Sequence, residues 1–335
     1  MARITENKAN GLEPKGEGIT MEEKADFRPQ SFAVVGAGPV GCIVAAFLAR
    51  GGYEVTLCDV IPELVKPALN PGIVLKGAEE VRQPVSRICT SVDDLSDQIP
   101  DVIFLTVKAY AIPLIASAIE SFYREGVYVV SWQNGIDTEF ELAKVLGRKP
   151  VMRAVVNYGC VLEKAGQVRI PFNHPPHFVQ ELDPESEPAA VAVAEALTRS
   201  GLLTQHTREI VSMVWRKGIL NACMNPVCAV TGMTMAQAMN DPIVFQIIDA
   251  LVKECVQVAR ANEITLGWQF YPYGMEYMGK AGNHKPSMLI DIENKRKTEI
   301  DYINGKFVEY GRQVGMETPY NNTLMALVKA LEPKF

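Results

Sequence analysis

Gly36, Ala37, Gly38, Pro39, Val40 and Gly41 fit the pattern G-x-G-x-x-G directly behind a hydrophobic strand and ahead of a helical pattern. In that context the first glycine permits a tight turn, the second lets backbone approach a pyrophosphate, and the third lets helix and strand pack closely. The helix N-terminus adds free amides and the positive end of its dipole. The pattern therefore reads as a dinucleotide site. Asp59 closes the next strand, 18 residues past Gly41, where an acid accepts hydrogen bonds from the adenosine ribose hydroxyls. A carboxylate there repels a 2′-phosphate, so Asp59 favours NAD(H) over NADP(H).

Two further polar groups follow the next strands: Lys108 in "TVKAY" and Asn134 in "SWQNGID". Ligands of open α/β sheets lie outside the C-terminal strand ends, which puts both residues at the cofactor cleft. Taken singly, one is a loop lysine and the other part of an Asn-Gly turn. A second group lies in "VWRKGILNACMNPVCAV", residues 214–230. On a helix Lys217, Asn221 and Asn225 share a face, between apolar rows of Ile219, Leu220, Cys223 and Val227. An amine and two amides in line are costly to bury without partners, so they are expected to line a cleft. In "HKPSMLIDIENKRKTEIDYINGKFVEYG", residues 284–311, Ser287 is placed to begin a helix and Glu299 follows three turns later. Alone, Ser287 reads as an N-cap and Glu299 as an ion-pair partner of Lys295.

The elements that must position these residues alternate. From Phe32 to about Arg199, short β-branched runs (FAVV, EVTLC, VIFLTV, VYVVSW) alternate with helical stretches at 39–50, 111–123 and 137–147. This predicts α/β architecture, a doubly wound parallel sheet with helices on both faces. "VMRAVVNYGCVL", "QVRI" and "HFVQEL" predict an antiparallel extension of the same sheet, closed by a helix at 188–199. Beyond Leu203 strand runs disappear, and 207–230, 241–262, 287–314 and 321–332 carry apolar residues at helical spacing. The expected division is a flexible tail at 1–30, a dinucleotide-binding domain at 31–203 and an all-helical substrate and dimerisation domain at 204–335.

Composition narrows the class. The 335 residues are 48% hydrophobic with net charge −6, enough for two ordinary cores and without a basic footprint for nucleic acid or an anionic membrane. Seven cysteines (42, 58, 89, 160, 223, 228, 255) show no CxxC or Cys/His metal spacing and read as reduced core thiols of a cytoplasmic protein, with no metal site. Residues 31–49 are apolar enough to imitate a membrane span, but hold three glycines and a proline in a phosphate-loop arrangement. Residues 1–30, dense in Glu and Lys, lack a signal-peptide pattern and sufficient apolar surface to order.

Residues 32–41, "TVKAY", "QNGID", "WRKGILNACMNP" and "KPSMLIDIENKRKTEIDYINGKFVEYGRQVGMETPYNNTL" together closely resemble the ketopantoate reductase (2-dehydropantoate 2-reductase) family, over about residues 31–330. The resemblance implies a Rossmann-type domain followed by a helical domain, a cleft site between them, a homodimer, and reduction of a small 2-oxo acid by hydride from nicotinamide C4. It makes Lys217 the catalytic lysine and Glu299 its acidic partner, places Asn134 and Lys108 near the nicotinamide, and makes Asn221, Asn225 and Ser287 substrate binders. A protonated Lys217 would stabilise the alkoxide formed by hydride arrival and supply its proton, with Glu299 orienting the lysine.

The sequence departs from the family in two places. "CDVIPE" offers acids where the family, usually an NADPH user, carries a basic residue. His284 stands in the substrate-binding segment where another amide is expected, and Ile290 where Gln is common. The alternative reading keeps fold and lysine but makes the chain an NAD-dependent D-2-hydroxyacid dehydrogenase for another branched or aromatic 2-oxo acid. A third, a non-catalytic NAD(H) sensor, is disfavoured by the proton donor such a sensor does not need.

Overall fold

The structure, a computed structural model, describes residues 27–334. Along the chain the strands are β1 (Ser31–Val35), β2 (Glu54–Cys58), β3 (Ile73–Gly77), β4 (Val81–Gln83), β5 (Arg87–Cys89) and β6 (Val102–Leu105). They continue as β7 (Tyr128–Ser131), β8 (Val151–Val155), β9 (Tyr158–Lys164), β10 (Gln167–Asn173), β11 (His177–Glu181) and β12 (Thr204–His206). Eight of them form one sheet in the order β12-β11-β8-β7-β6-β1-β2-β5. From β5 to β8 all neighbours are parallel, whereas β11 runs antiparallel to β8. The chain starts in the middle at β1, winds outward to β2 and β5, then returns to β6 on the other side of β1. That reversal between β1 and β6 is the topological switch point, where loops diverge and leave a crevice.

The central strands are apolar without alternation because both faces are covered: β6 and β8 are buried at every position. On one face, α1 (Pro39–Arg50) lies between the large sheet and a second sheet, β4-β3-β10-β9. This explains its span-like hydrophobicity: residues 41–48 are buried. No helix among the described residues is long and apolar enough to cross a membrane. The short α2 (Pro62–Pro67) leads to the second sheet, α3 (Ile112–Glu120) and α4 (Thr138–Leu146) cover the opposite face, and α5 (Glu187–Arg199) packs beside β11 and β12.

The helical half is built around α6 (Ile210–Thr231), against which α7 (Met235–Asn240), α8 (Pro242–Ala261), α9 (Phe270–Gly279), α10 (Ser287–Glu293) and α12 (Pro319–Leu331) pack. Helix α11 (Asn304–Gln313) packs on α12. Pro226 interrupts the hydrogen-bond ladder of α6 and frees the Ala222 carbonyl. The fully buried Asn304 donates to that carbonyl at 3.0 Å and also to Asn321, which in turn donates to Glu254. Four helices are tied together through one proline defect.

Four sequence expectations change. The tail ends before residue 30, because Phe27 packs edge-on against Tyr128 at 4.9 Å; residues 1–26 lie outside the described part. The first domain extends past 203, since β12 completes its sheet beside β11. "VMRAVVNYGCVL" and "QVRI" do not simply extend the large sheet: β9 and β10 join β3 and β4 in the second one, β10 running parallel to β3. The stretch 287–314 is not one helix. Lys295 is left-handed (φ 53°), and Arg296 N–H donates back to the Asp291 carbonyl, which ends α10 and sends the chain to Glu299 through a loop.

Candidate active site

The glycine turn forms as its spacing requires. Gly36 has φ 108°, and a Cβ on it would lie 2.9 Å from Val107 N. A Cβ on Gly41 would lie 1.9 Å from the Gly36 carbonyl oxygen, so only glycine lets α1 start this close to β1. At Gly38 a Cβ would meet nothing within 4 Å; the backbone there is open, as approach of a pyrophosphate demands. Pro39 occupies the first turn of α1, with Val40 behind it, fixing the helix N-terminus toward the opening. Asp59 Oδ2 accepts the Ala37 N–H at 2.7 Å and Oδ1 accepts the Ile61 N–H at 3.0 Å. The acid therefore braces the loop, and its remaining lone pairs are available for ribose hydroxyls. These residues fit a dinucleotide.

Thr106, at the end of β6, shares its hydroxyl between the Val35 and Gly36 carbonyls. Lys108 follows and crosses to the helical half, where its ammonium pairs with Asp291 at 2.5 Å and Glu299 at 3.3 Å. Burial pulls the Lys108 pKa down, but the two carboxylates outweigh it and raise it. Asp291 and Glu299 are themselves buried, and Glu299 also accepts the Ala109 N–H at 3.1 Å. The sheet-bearing half and the helical half are thus joined by charge at the β6 loop.

Behind β7 the chain turns at Gly135 (φ 111°), where a Cβ would press on the Tyr302 Cβ at 3.0 Å. Asp137 accepts Tyr310 Oη–H at 3.0 Å and pairs with Lys306. The turn carrying Asn134 is thus held against the helical half through Tyr302, Lys306 and Tyr310.

Lys217, on α6, donates from Nζ to the Val156 carbonyl at 2.6 Å, at the end of β8. Its pKa is lowered to about 8, chiefly by burial and then by Arg153, against smaller opposing effects of Cys160 and Glu299. A small cavity brings Lys217 and Asn221 together with Gln133, Asn134 and Arg153. The Gln133 Nε2 is buried without a hydrogen-bond partner among the described residues. The cavity thus has amide donors, a lysine able to release a proton near neutrality, and a wall shared by both halves.

One expected pairing is corrected. Glu299 is not hydrogen-bonded to Lys217; the break after α10 carries it to Lys108 and Ala109, and it acts on Lys217 only through space. Nor does it pair with Lys295. Asn225 is buried one turn beyond Asn221, and Ser287 is exposed at the start of α10 without capping it. His284 stands against Phe172 of β10 at 5.9 Å, and His174 stacks on the same ring at 5.1 Å. Asn225, Ser287 and His284 do not line the Lys217 cavity. Sequence reasoning missed Arg153, Gln133 and Asp291; a charge inside the apolar run "VMRAVV" was the available signal. All seven cysteines are free, six buried and Cys160 partly so.

Known proteins match this arrangement over nearly its whole length. The family description "Ketopantoate reductase PanE/ApbA" covers residues 32–178, and its C-terminal counterpart covers 209–332. The chain belongs to the ketopantoate reductase family. A 2-dehydropantoate 2-reductase of Pyrococcus horikoshii is 31% identical over 89% of this chain and 96% of its own. That of Archaeoglobus fulgidus is 28% identical over 91% and 99%. Among solved structures, a PanE/ApbA family ketopantoate reductase from Ralstonia eutropha superposes with a TM-score of 0.81 at 24% identity, covering 90% of this chain and 98% of that one. A D-mandelate dehydrogenase with NADH and anilino(oxo)acetate gives 0.80 at 28% identity, covering 90% and 97%. The family's two-part build corresponds to the two halves joined here at the cleft.

Proposed function

We propose that this protein reduces a 2-oxo acid, 2-dehydropantoate in the first instance, to the 2-hydroxy acid with a nicotinamide cofactor. The observation that carries the reading is Lys217: an amine whose pKa burial lowers to about 8, lining one cavity with Asn221 of its own helix and Asn134 of the facing turn, at the C-terminal ends of β7 and β8 in the sheet whose β1 ends in the glycine turn. The glycine turn from Gly36 to Gly41 and Asp59 would hold the dinucleotide, whose nicotinamide supplies hydride when bound. Lys217 stabilises charge on the substrate's carbonyl oxygen and delivers a proton there. Asn134 and Asn221 orient the substrate, and the exposed Ser287 adds a hydroxyl on the surface of the helical half. Lys108 and Glu299 hold the two halves in register, with Glu299 favouring the protonated lysine from a distance. Measuring kcat/KM for 2-dehydropantoate, 2-oxoisovalerate and benzoylformate with NADH and NADPH tests the reading. Failure of every 2-oxo acid would reject it.

A second reading, a D-2-hydroxyacid dehydrogenase for an aromatic 2-oxo acid, is favoured by the aromatic group of Phe172, His174 and His284 and by the D-mandelate dehydrogenase likeness. A higher kcat/KM for benzoylformate than for 2-dehydropantoate would select it.

As a proton donor, Lys217 must be charged. The kcat/KM for reduction is therefore expected to hold below pH 8 and fall as pH rises through about 8. A profile flat to pH 10 would remove Lys217 from that role.

Asp59 is proposed to set a preference for NADH. Its carboxylate also receives two backbone N–H groups, and hydrogen bonds to a charged group contribute about 1.5–3 kcal/mol each. Asp59→Ala should thus weaken use of NADH while relieving repulsion of the 2′-phosphate, narrowing the preference from both ends. A wild-type protein tenfold more efficient with NADPH would contradict this assignment.

A further inference from the structure

Arg153 sits in the middle of β8, 3% exposed, in a strand otherwise made of Val151, Met152, Ala154 and Val155. A fixed charge persists in such a place only with compensating partners. Its Nη1 is shared among Ser131 Oγ (3.1 Å), the Gln133 carbonyl (3.1 Å) and Thr138 Oγ1 (2.6 Å). Nη2 donates to the Gly135 carbonyl at 2.7 Å, and Nε faces Glu139 Oε2 at 3.4 Å. Every one of these contacts falls on the segment from the end of β7 to the first turn of α4, the segment that carries Asn134. The planar fork of a guanidinium suits this task, since it reaches several oxygens in fixed directions. Arg153 also lines the cavity that holds Lys217 and Asn221.

We infer that Arg153 is a positioning residue of this site: it fixes the turn that carries Asn134 across from Lys217 and, as a second cation on the cavity wall, favours release of the lysine's proton. The groups bearing on Lys217 are Arg153 from β8, Cys160 from β9, His177 from β11 and Glu299 from the loop after α10. His177 is neutral near pH 7, its pKa pushed down to about 4 by burial and by Lys217 itself. Cys160 has its pKa pushed up to about 12, mainly by burial. Arg153 alone of the four adds a lasting positive charge, because arginine does not titrate in this range.

The turnover consequence rests on the proposed reductase chemistry; the effect on the lysine's titration does not. Two variants separate geometry from charge, Arg153→Lys and Arg153→Met, with Arg153→Gln as the neutral comparison should the methionine variant not yield soluble protein. The first readout is the pKa of Lys217 by NMR of ¹³C-labelled lysine, its signal identified by loss in Lys217→Met. The neutral variant should raise that pKa by about half a unit or more, while Arg153→Lys leaves it near wild type. The second readout is kcat/KM below pH 7, expected to fall about tenfold or more in both variants because each loses the fork and lets Asn134 shift. An unchanged Lys217 titration in the neutral variant, or an equal shift in Arg153→Lys, would overturn the electrostatic part. Undiminished kcat/KM in both would overturn the positioning part. Should wild type reduce no 2-oxo acid, the reductase reading fails by itself and the titration still decides the place of Arg153.

Discussion

Lys217→Ala should lower kcat for 2-oxo acid reduction by at least about two orders of magnitude. Removing one partner of a charge that develops in the transition state costs about 10²–10³ in rate, and losing a general acid about 10²–10⁴. Both roles fall on one amine here, the one held at 2.6 Å from the Val156 carbonyl and lining the same cavity as Asn134 and Asn221. Cofactor affinity should hardly change, since the glycine turn lies on β1 and α1, away from α6. Steady-state kinetics with NADH, alongside a fluorescence titration of NADH binding, checks both halves of the expectation. Near-normal kcat in a folded Lys217→Ala protein would show that the lysine is not the proton donor.

Gly41→Ala is the second large effect, and it should act on the opposite half. The new Cβ would stand 1.9 Å from the Gly36 carbonyl oxygen and 2.6 Å from Thr106 Oγ1, and backbone must move because the nearer of the two is itself a backbone atom. Overpacking of this kind costs about 1–3 kcal/mol. If the loop opens to relieve it, the amides at the start of α1 lose their alignment, and NADH affinity should drop roughly tenfold to a hundredfold. Fluorescence titration of NADH measures this directly, with circular dichroism to confirm that the fold persists. Wild-type affinity in the variant would mean that this turn does not hold the dinucleotide.

What could be read from the sequence was local in origin. The turn at Gly36–Gly41 is set by steric rules acting over six residues, and α6 announces its polar face through a four-residue period that holds to Asn221. The alternation of strand and helix likewise gave the doubly wound sheet, because each buried parallel strand is a run of apolar residues. What could not be read depends on pieces that meet only after folding. Glu299 lies next to Lys295 in sequence terms, yet a left-handed residue at 295 redirects the chain and delivers it to Lys108. The second sheet was hidden because β4 is three residues long and β3 pairs with β10, some ninety positions away. Arg153 announces only that something must neutralise it; that its partners belong to the turn bearing Asn134 follows from the register of β7 and β8. The place of the short β12 is hidden for the same reason, since among the described residues it pairs with β11 alone.

The most direct measurement of the central claim follows the hydride. The purified protein is incubated with NADH carrying deuterium at C4, in each of its two stereochemical forms, together with 2-dehydropantoate or benzoylformate, and the products are examined by mass spectrometry and NMR. The account predicts deuterium at C2 of the 2-hydroxy acid from one of the two forms, with product formation at least about a hundredfold slower in Lys217→Ala. NADH that binds tightly to the wild-type protein but passes no deuterium to any 2-oxo acid would contradict it and make the protein a nicotinamide sensor.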